Sequence, residues 1–413
     1  MRNGWTGGQY SVFRILLGSY LCEHFLRLLP WGRELFSNQG ALPNSSASSL
    51  IHLFPNIFGV WDSPAFVLSL LALGAVMGFL LAAGVWDRAA AVVTWYLWAC
   101  LLGRNPLIAN PSLPYIGWLL LAHAVLLPAP YGSWAARGRA DPRGKWEMPA
   151  GLFTLAWMVM AAGYSFSGYT KLISPSWVDG SALARVLENP LARPTILRGA
   201  LLALPPVVLR LATWGGLSLE LGFAPLALFR RIRPWLWGGM VGLHVGLLTM
   251  VDFADLTAAM LLVHFFTFDP AWIRPHAAGL QEWLFYDGHC GLCHRMVRFV
   301  LAEDRTGSSF RFAPLESEFF ASRIPAEQRA TLPDSIVVQS AGGELLTRSA
   351  AILHVMRRLG GLWRILAAFA GVIPGAVLDW CYDRVASARR KIFRAPAEAC
   401  PILPAELRSR FQM

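Results

Sequence analysis

The chain has 413 residues, 55% of them hydrophobic and 15% charged, with a formal net charge of +11. It is too apolar and too thinly charged for an ordinary soluble enzyme, and its 18 tryptophans add to a membrane reading, because indole favours the water–lipid boundary. The excess positive charge then belongs to cytoplasmic loops of a membrane protein, which sets nucleic-acid binding aside.

In chain order, the first apolar run starts near Tyr10 and carries Arg14, Glu23, His24 and Arg27. It lacks a small-residue cleavage site, so it reads as a first membrane helix with a polar face and not as a cleavable signal. A span needs about 20 mostly apolar residues. Such runs follow near 64–86, 89–104, 113–129, 149–168, 200–229, 235–251 and 254–269, giving about eight spans. Basic loops set orientation. Arg137, Arg139, Arg143 and Lys145 in one loop, and Arg230, Arg231 and Arg233 in another, put both termini and everything after residue 270 on the cytoplasmic side. The segment 169–199 then lies outside.

Lysine occurs only as Lys145, Lys171 and Lys391. A buried lysine can lose its proton and arginine cannot, which makes Lys171, just after the fifth span beside Gly168 and Tyr169, a candidate base. Its structural alternative is a snorkelling side chain at the interface. Glu220 falls within the sixth span, and His244, Asp252 and Asp255 lie at or near the seventh. Ionisable groups in a membrane are costly and face a cavity or one another. They form either a binding site or internal ion pairs, with Arg14 or Arg210 as partners.

From residue 281 the pattern changes. A strand-like run, Trp283–Tyr286, leads through Asp287-Gly288-His289 to Cys290-Gly291-Leu292-Cys293 and then a helix to about Glu303. A C-x-x-C between a strand and a helix is the arrangement of redox dithiols. The helix start favours a thiolate at Cys290, which attacks, while Cys293 closes the disulfide. Asp287 either assists proton transfer or caps the turn. His289 and His294 read as exposed polar residues flanking the pair. Strands at 310–312, 335–339 and 345–347 and a helix over 349–359 complete a β-α-β, β-β-α order, that of a thioredoxin-like domain. Pro333 sits where such folds place a cis-proline, or in an ordinary turn. The apolar stretch 362–378 is broken by Gly371, Pro374 and Gly375, which predicts paired short helices packed on the domain or the membrane surface in preference to a ninth span. Cys22 and Cys100 lie in apolar segments, and Cys381 and Cys400 lack metal-type spacing, so no metal is expected.

Residues Tyr286 to Cys293, with Val297-Arg298-Phe299-Val300, Phe312-Ala313-Pro314-Leu315 and Arg348-Ser349-Ala350-Ala351-Ile352-Leu353, closely resemble the DCC family of predicted thiol-disulfide oxidoreductases. Asp287, Cys290 and Cys293 fill its three namesake positions. Phe13-Arg14-Ile15-Leu16-Leu17-Gly18, Ser167-Gly168-Tyr169-Thr170-Lys171-Leu172, Trp177-Val178-Asp179-Gly180 and His244 resemble the horizontally transferred transmembrane domain, the membrane fold shared with vitamin K-dependent gamma-carboxylases. That resemblance implies a base at Lys171 acting on a quinone-type lipid; His244, Glu220 and Tyr169 are the expected cofactor-binding residues. This sequence has one lysine where the carboxylases carry two.

The expected architecture is a polytopic α-helical membrane domain over 1–275 followed by a thioredoxin-like α/β domain over 281–405. The leading function is a membrane-bound thiol-disulfide oxidoreductase. Its Cys290–Cys293 disulfide exchanges electrons with an unknown thiol or disulfide protein partner, and a quinone lipid binds the membrane part. One alternative is a carboxylase- or epoxidase-like enzyme with Lys171 as base. Another is a non-enzymatic transporter or scaffold with a redox-sensing dithiol.

Overall fold

The computed structural model describes residues 3–127, 131, 143–393 and 405–412; Arg137, Arg139 and Cys400 lie outside the described residues. It divides into two compact units, one of residues 12–128 and 149–268, the other of residues 2–11, 129–148 and 269–413.

The first unit is helical. Its main elements are α1 (Gly7–Leu28, shared with the second unit at its start), α2 (Pro64–Ala83), α3 (Asp87–Arg104), α4 (Leu113–Val125), α5 (Ala150–Lys171), α6 (Pro206–Ala227), α7 (Arg233–Met250) and α8 (Ala254–Thr267). Each of the eight expected spans coincides with a helix, yet the count of eight membrane crossings does not stand. Among the described residues three helices, α2, α5 and α6, are long and apolar enough to cross a bilayer, or four if one bent pair later in the chain is a single span. The reasons are length and composition. At 1.5 Å per residue, α4 with 13 residues and α8 with 14 fall well short of a hydrocarbon core of about 30 Å. Arg14, Glu23 and Arg27 load α1 with charge, and glycine, tryptophan and His244 dilute α7.

Close packing inside this unit depends on small residues. A Cβ on Gly18 of α1 would lie 2.3 Å from the Ala82 nitrogen of α2, so the two backbones meet where only glycine fits. The expected partners of the intramembrane charges are partly different. The guanidinium of Arg14 donates to the Leu81 and Ala82 carbonyls, each at 2.6 Å. His24 pairs with Asp255 at 2.9 Å, and Asp252 with Arg193 at 3.2 Å.

The second unit is built on four strands, β1 (Glu282–Tyr286), β2 (Phe310–Pro314), β3 (Val337–Gln339) and β4 (Leu345–Thr347). Among the described residues they form one mixed sheet in the order β2-β1-β3-β4, with β1 parallel to β2 and the other pairs antiparallel. Helix α9 (Gly291–Glu303) joins β1 to β2. After β4 come α10 (Arg348–Leu359), α11 (Gly361–Ala370) and α12 (Gly375–Ile392). Side chains alternate across a strand. Leu284, Tyr286, Phe310, Phe312 and Val338 therefore pack with Val297 and Leu301 of α9 and Val355 of α10. Phe285, Ala313 and Val337 face the other way, against Phe320 and Ile324. The β-α-β, β-β-α order lies where the sequence places it. Pro333 takes the ordinary turn: no described peptide bond is cis, and the Ser335 N–H donates to the Pro333 carbonyl at 2.7 Å. The stretch after 361 forms the expected pair of helices, α11 and α12, bent by 114° at the glycine–proline break.

Candidate active site

Strand β1 ends at Tyr286, and the next three residues turn the chain into α9. Asp287 makes the turn: its Oδ1 accepts the His289 N–H at 2.9 Å, and its carbonyl accepts the Cys290 N–H at 3.2 Å. Of its two sequence roles, turn capping is the one the geometry displays. Cys290 is the N-cap of α9, extended at φ −104° and ψ 114°, and its Sγ accepts the Cys293 N–H at 3.4 Å. The sulfur thus occupies the position that a serine or aspartate oxygen takes in an ordinary cap. Both cysteines are free thiols, and both are buried. Burial, then the hydrogen bond and charge of Cys290, push the Cys293 thiol up to about 12. Cys293 is thereby held in its thiol form at neutral pH.

Two cavities meet at this pair. Cys290 lines one of about 370 Å³ in which the polar groups of Asp287, His289, Glu316 and Asp334 stand beside Leu315 and Phe393. Cys293 lines an apolar groove of about 450 Å³ walled by α9, α10 and α12. The dithiol thus has one approach lined in part by polar groups and one apolar approach.

Arg389 of α12 is the site residue that sequence reasoning missed. It is 3% exposed, and its Nη2 reaches Asp287 Oδ2 at 3.3 Å and Asp334 Oδ1 at 2.6 Å. It ties the turn that carries Cys290 to the segment before β3. It lies 102 positions along the chain from Asp287, and no spacing rule announces it. His289 is exposed as expected, but His294 is not. It is buried because its ring nitrogen meets the Gly288 carbonyl at 2.9 Å and stays inside the turn.

The remaining sequence candidates lie in the helical unit. Lys171 Nζ reaches Glu220 Oε1 at 2.5 Å and sits 4.5 Å from the centroid of the Trp177 ring. Gly168 makes this possible: a Cβ there would lie 2.7 Å from the Leu221 nitrogen, so α5 and α6 touch one turn before Lys171. Pro225 of α6 has no N–H to give the Leu221 carbonyl, and Ser165 Oγ of α5 donates to it at 3.1 Å instead. Tyr169 stands apart, 62% exposed, because a step of two residues turns a helix by about 200°. His244 joins a trio the sequence did not suggest. Tyr164 Oη lies 2.7 Å from Nε2 of His244 and 2.7 Å from Nε2 of His264. One hydroxyl proton serves only one ring, so the other imidazole must donate to the oxygen. Sequence gives no signal for this trio, since the partners are 80 and 100 residues from Tyr164.

Residues 284–395 match the family model of DCC1-like thiol-disulfide oxidoreductases. The uncharacterized protein YuxK of Bacillus subtilis (strain 168) is 32% identical over 128 residues, which is 31% of this chain and 91% of that protein. The chain belongs to the DCC1-like family. A chloroplastic DCC family protein of Arabidopsis thaliana is 30% identical over 126 residues, 30% of this chain and 73% of that protein. No solved structure matches the chain. The DCC1-like match contains Asp287, Cys290, Cys293 and Arg389, and in a thiol-disulfide oxidoreductase domain it is the cysteine pair that carries the electrons. No group of three or more His, Cys, Asp or Glu side chains fit to hold a metal occurs among the described residues.

Proposed function

We propose that the protein is a membrane-bound thiol-disulfide oxidoreductase whose thioredoxin-like second unit works through Cys290 and Cys293. The observation that carries this reading is the Cys290 sulfur capping α9, with the Cys293 amide donating to it and Cys293 itself held protonated. Cys290 attacks a partner disulfide and forms a mixed disulfide. Cys293 then displaces the partner thiol, two electrons pass to the partner, and the Cys290–Cys293 bond closes. The reverse sequence oxidises a partner dithiol.

A quinone-type lipid is the electron carrier that the carboxylase-like resemblance of the membrane part suggests. It takes two electrons and two protons from the dithiol and leaves as hydroquinone. The second reading, with Lys171 as base on a hydroquinone, draws its support from the carboxylase-like resemblance around Ser167–Leu172. The second unit is placed in the cytoplasm on the basic loops.

The test is a redox titration of the purified full chain in thiol buffers, with thiols counted by maleimide labelling and located by mass spectrometry. Cys290 and Cys293 should lose their labels together, in one two-electron step. Independent loss of the two labels, or none, would remove the dithiol reading. In intact cells, a membrane-impermeant maleimide should spare the exposed Cys381 until the membrane is permeabilised.

A further inference from the structure

Residues 368–377, Ala-Phe-Ala-Gly-Val-Ile-Pro-Gly-Ala-Val, contain no charge and no hydroxyl. They form the tip where α11 turns into α12, and all but Ala370 are exposed, with Phe369 at 72% and Val372 at 83%. One turn further on, Trp380 is 59% exposed, with the Arg384 guanidinium 5.2 Å from its ring centroid. Arg357 and Arg364 are also exposed on the neighbouring helical turns. The nearby acids are engaged: Asp379 accepts from Ser349, and Asp383 pairs with Arg348 at 3.3 Å.

We propose that this tip inserts into one leaflet of the bilayer, with the arginines and Trp380 at the headgroup level. The bilayer is the fitting occupant for three reasons. Taken together the two helices are as apolar as a membrane span, but the 114° bend prevents a straight crossing, so the chain dips in and returns. An apolar tip rimmed by tryptophan and arginine matches hydrocarbon beneath anionic or zwitterionic phosphate. The same polypeptide already carries the long apolar helices α2, α5 and α6.

Insertion has a consequence for the dithiol, which rests on the redox reading above. The groove beside Cys293 is walled in part by Ala370, Leu378, Cys381 and Val385 of the same two helices. Cys293 then has its apolar approach from the leaflet, while Cys290 keeps its approach from water.

The experiment uses the full chain in phospholipid bilayers doped with a lipid bearing a diazirine on its acyl chain. After irradiation, adducts are mapped by mass spectrometry. Adducts are expected on 368–377 as well as on α2, which serves as the internal reference. Adducts on α2 with none on 368–377 would overturn the proposal. So would copy-to-copy crosslinks confined to the tip, which would make the patch a dimer contact. The double variant Val372→Glu/Ile373→Glu should lose tip adducts by about tenfold or more, keep those on α2 and keep thiol exchange. Unchanged tip adducts in that variant would contradict insertion. Loss of thiol exchange in the unsubstituted chain would count against the dithiol reading alone.

Discussion

The two units concentrate polar side chains by opposite routes. In the second, Cys290 and Cys293 come together through one helical turn at the end of a strand, and three residues of sequence suffice to build the reactive pair. In the first, Lys171–Glu220 and His244–Tyr164–His264 are assembled from four helices, with partners 49 to 100 residues apart. A site made by local geometry survives any rearrangement that keeps its helix start. A site made by helix packing exists only while the bundle holds its register. The first kind therefore answers to single substitutions at the sulfur, the second to substitutions anywhere along the contact.

The largest effect is expected at the local site. Cys290→Ser should lower thiol-disulfide exchange by about 10³-fold or more, measured as turnover with a low-molecular-weight disulfide, without changing the thermal stability of the chain. Retained turnover would mean that the exchange runs elsewhere.

Lys171→Arg sharpens the contrast. Arginine keeps the charge facing Glu220 but stays protonated at any working pH. The variant should remain folded and inserted, should lose quinone-dependent activity to background, and should leave thiol exchange intact. Quinone-dependent activity at the unsubstituted level would leave Lys171 as a packing cation.

Arg389→Met tests a long-range contact inside the local site. It leaves Asp287 without its guanidinium, at a cost of about 2–4 kcal/mol, read as a lower midpoint in urea unfolding of the second unit. Arg389→Lys should recover part of this, because it restores the charge without the fork. An unchanged midpoint in Arg389→Met would make the contact incidental.

The smallest effect belongs to Tyr164→Phe. It removes the oxygen that serves both imidazoles, and leaving buried nitrogens unsatisfied costs about 1–3 kcal/mol. Thermal stability of the helical unit should fall while thiol exchange stays constant. A matching loss of exchange would show that the two units share one cycle.

Legibility followed the same division. The strand, turn and helix around Cys290 were readable because the apolar-aromatic run Trp283–Tyr286, the Asp-Gly turn and the C-x-x-C are all local signals. The helices of the first unit were readable too, but their number as membrane spans was not. Hydrophobic runs reveal helices, whereas crossing a bilayer also requires length, and α4 and α8 are too short. Arg389 and Tyr164 escaped because nothing in a helix sequence says which distant residue its polar side chain will meet. His294 escaped for a subtler reason: its partner, the Gly288 carbonyl, is close in sequence, but only the folded turn aims it at the ring.

The central claim is the division of labour between the two sulfurs, and disulfide trapping tests it most directly. The reduced full chain is mixed with glutathione disulfide at neutral pH, quenched in acid and analysed by mass spectrometry. In Cys293→Ser, a mixed disulfide should accumulate on Cys290. In the unsubstituted chain it should be transient, because Cys293 closes the pair. In Cys290→Ser, adduct on Cys293 should form slowly and speed up only as pH rises, since burial, the largest cause that holds its thiol up, persists without Cys290. Equally fast adduct formation on Cys293 at neutral pH, or a mixed disulfide that persists in the unsubstituted chain, would contradict this account.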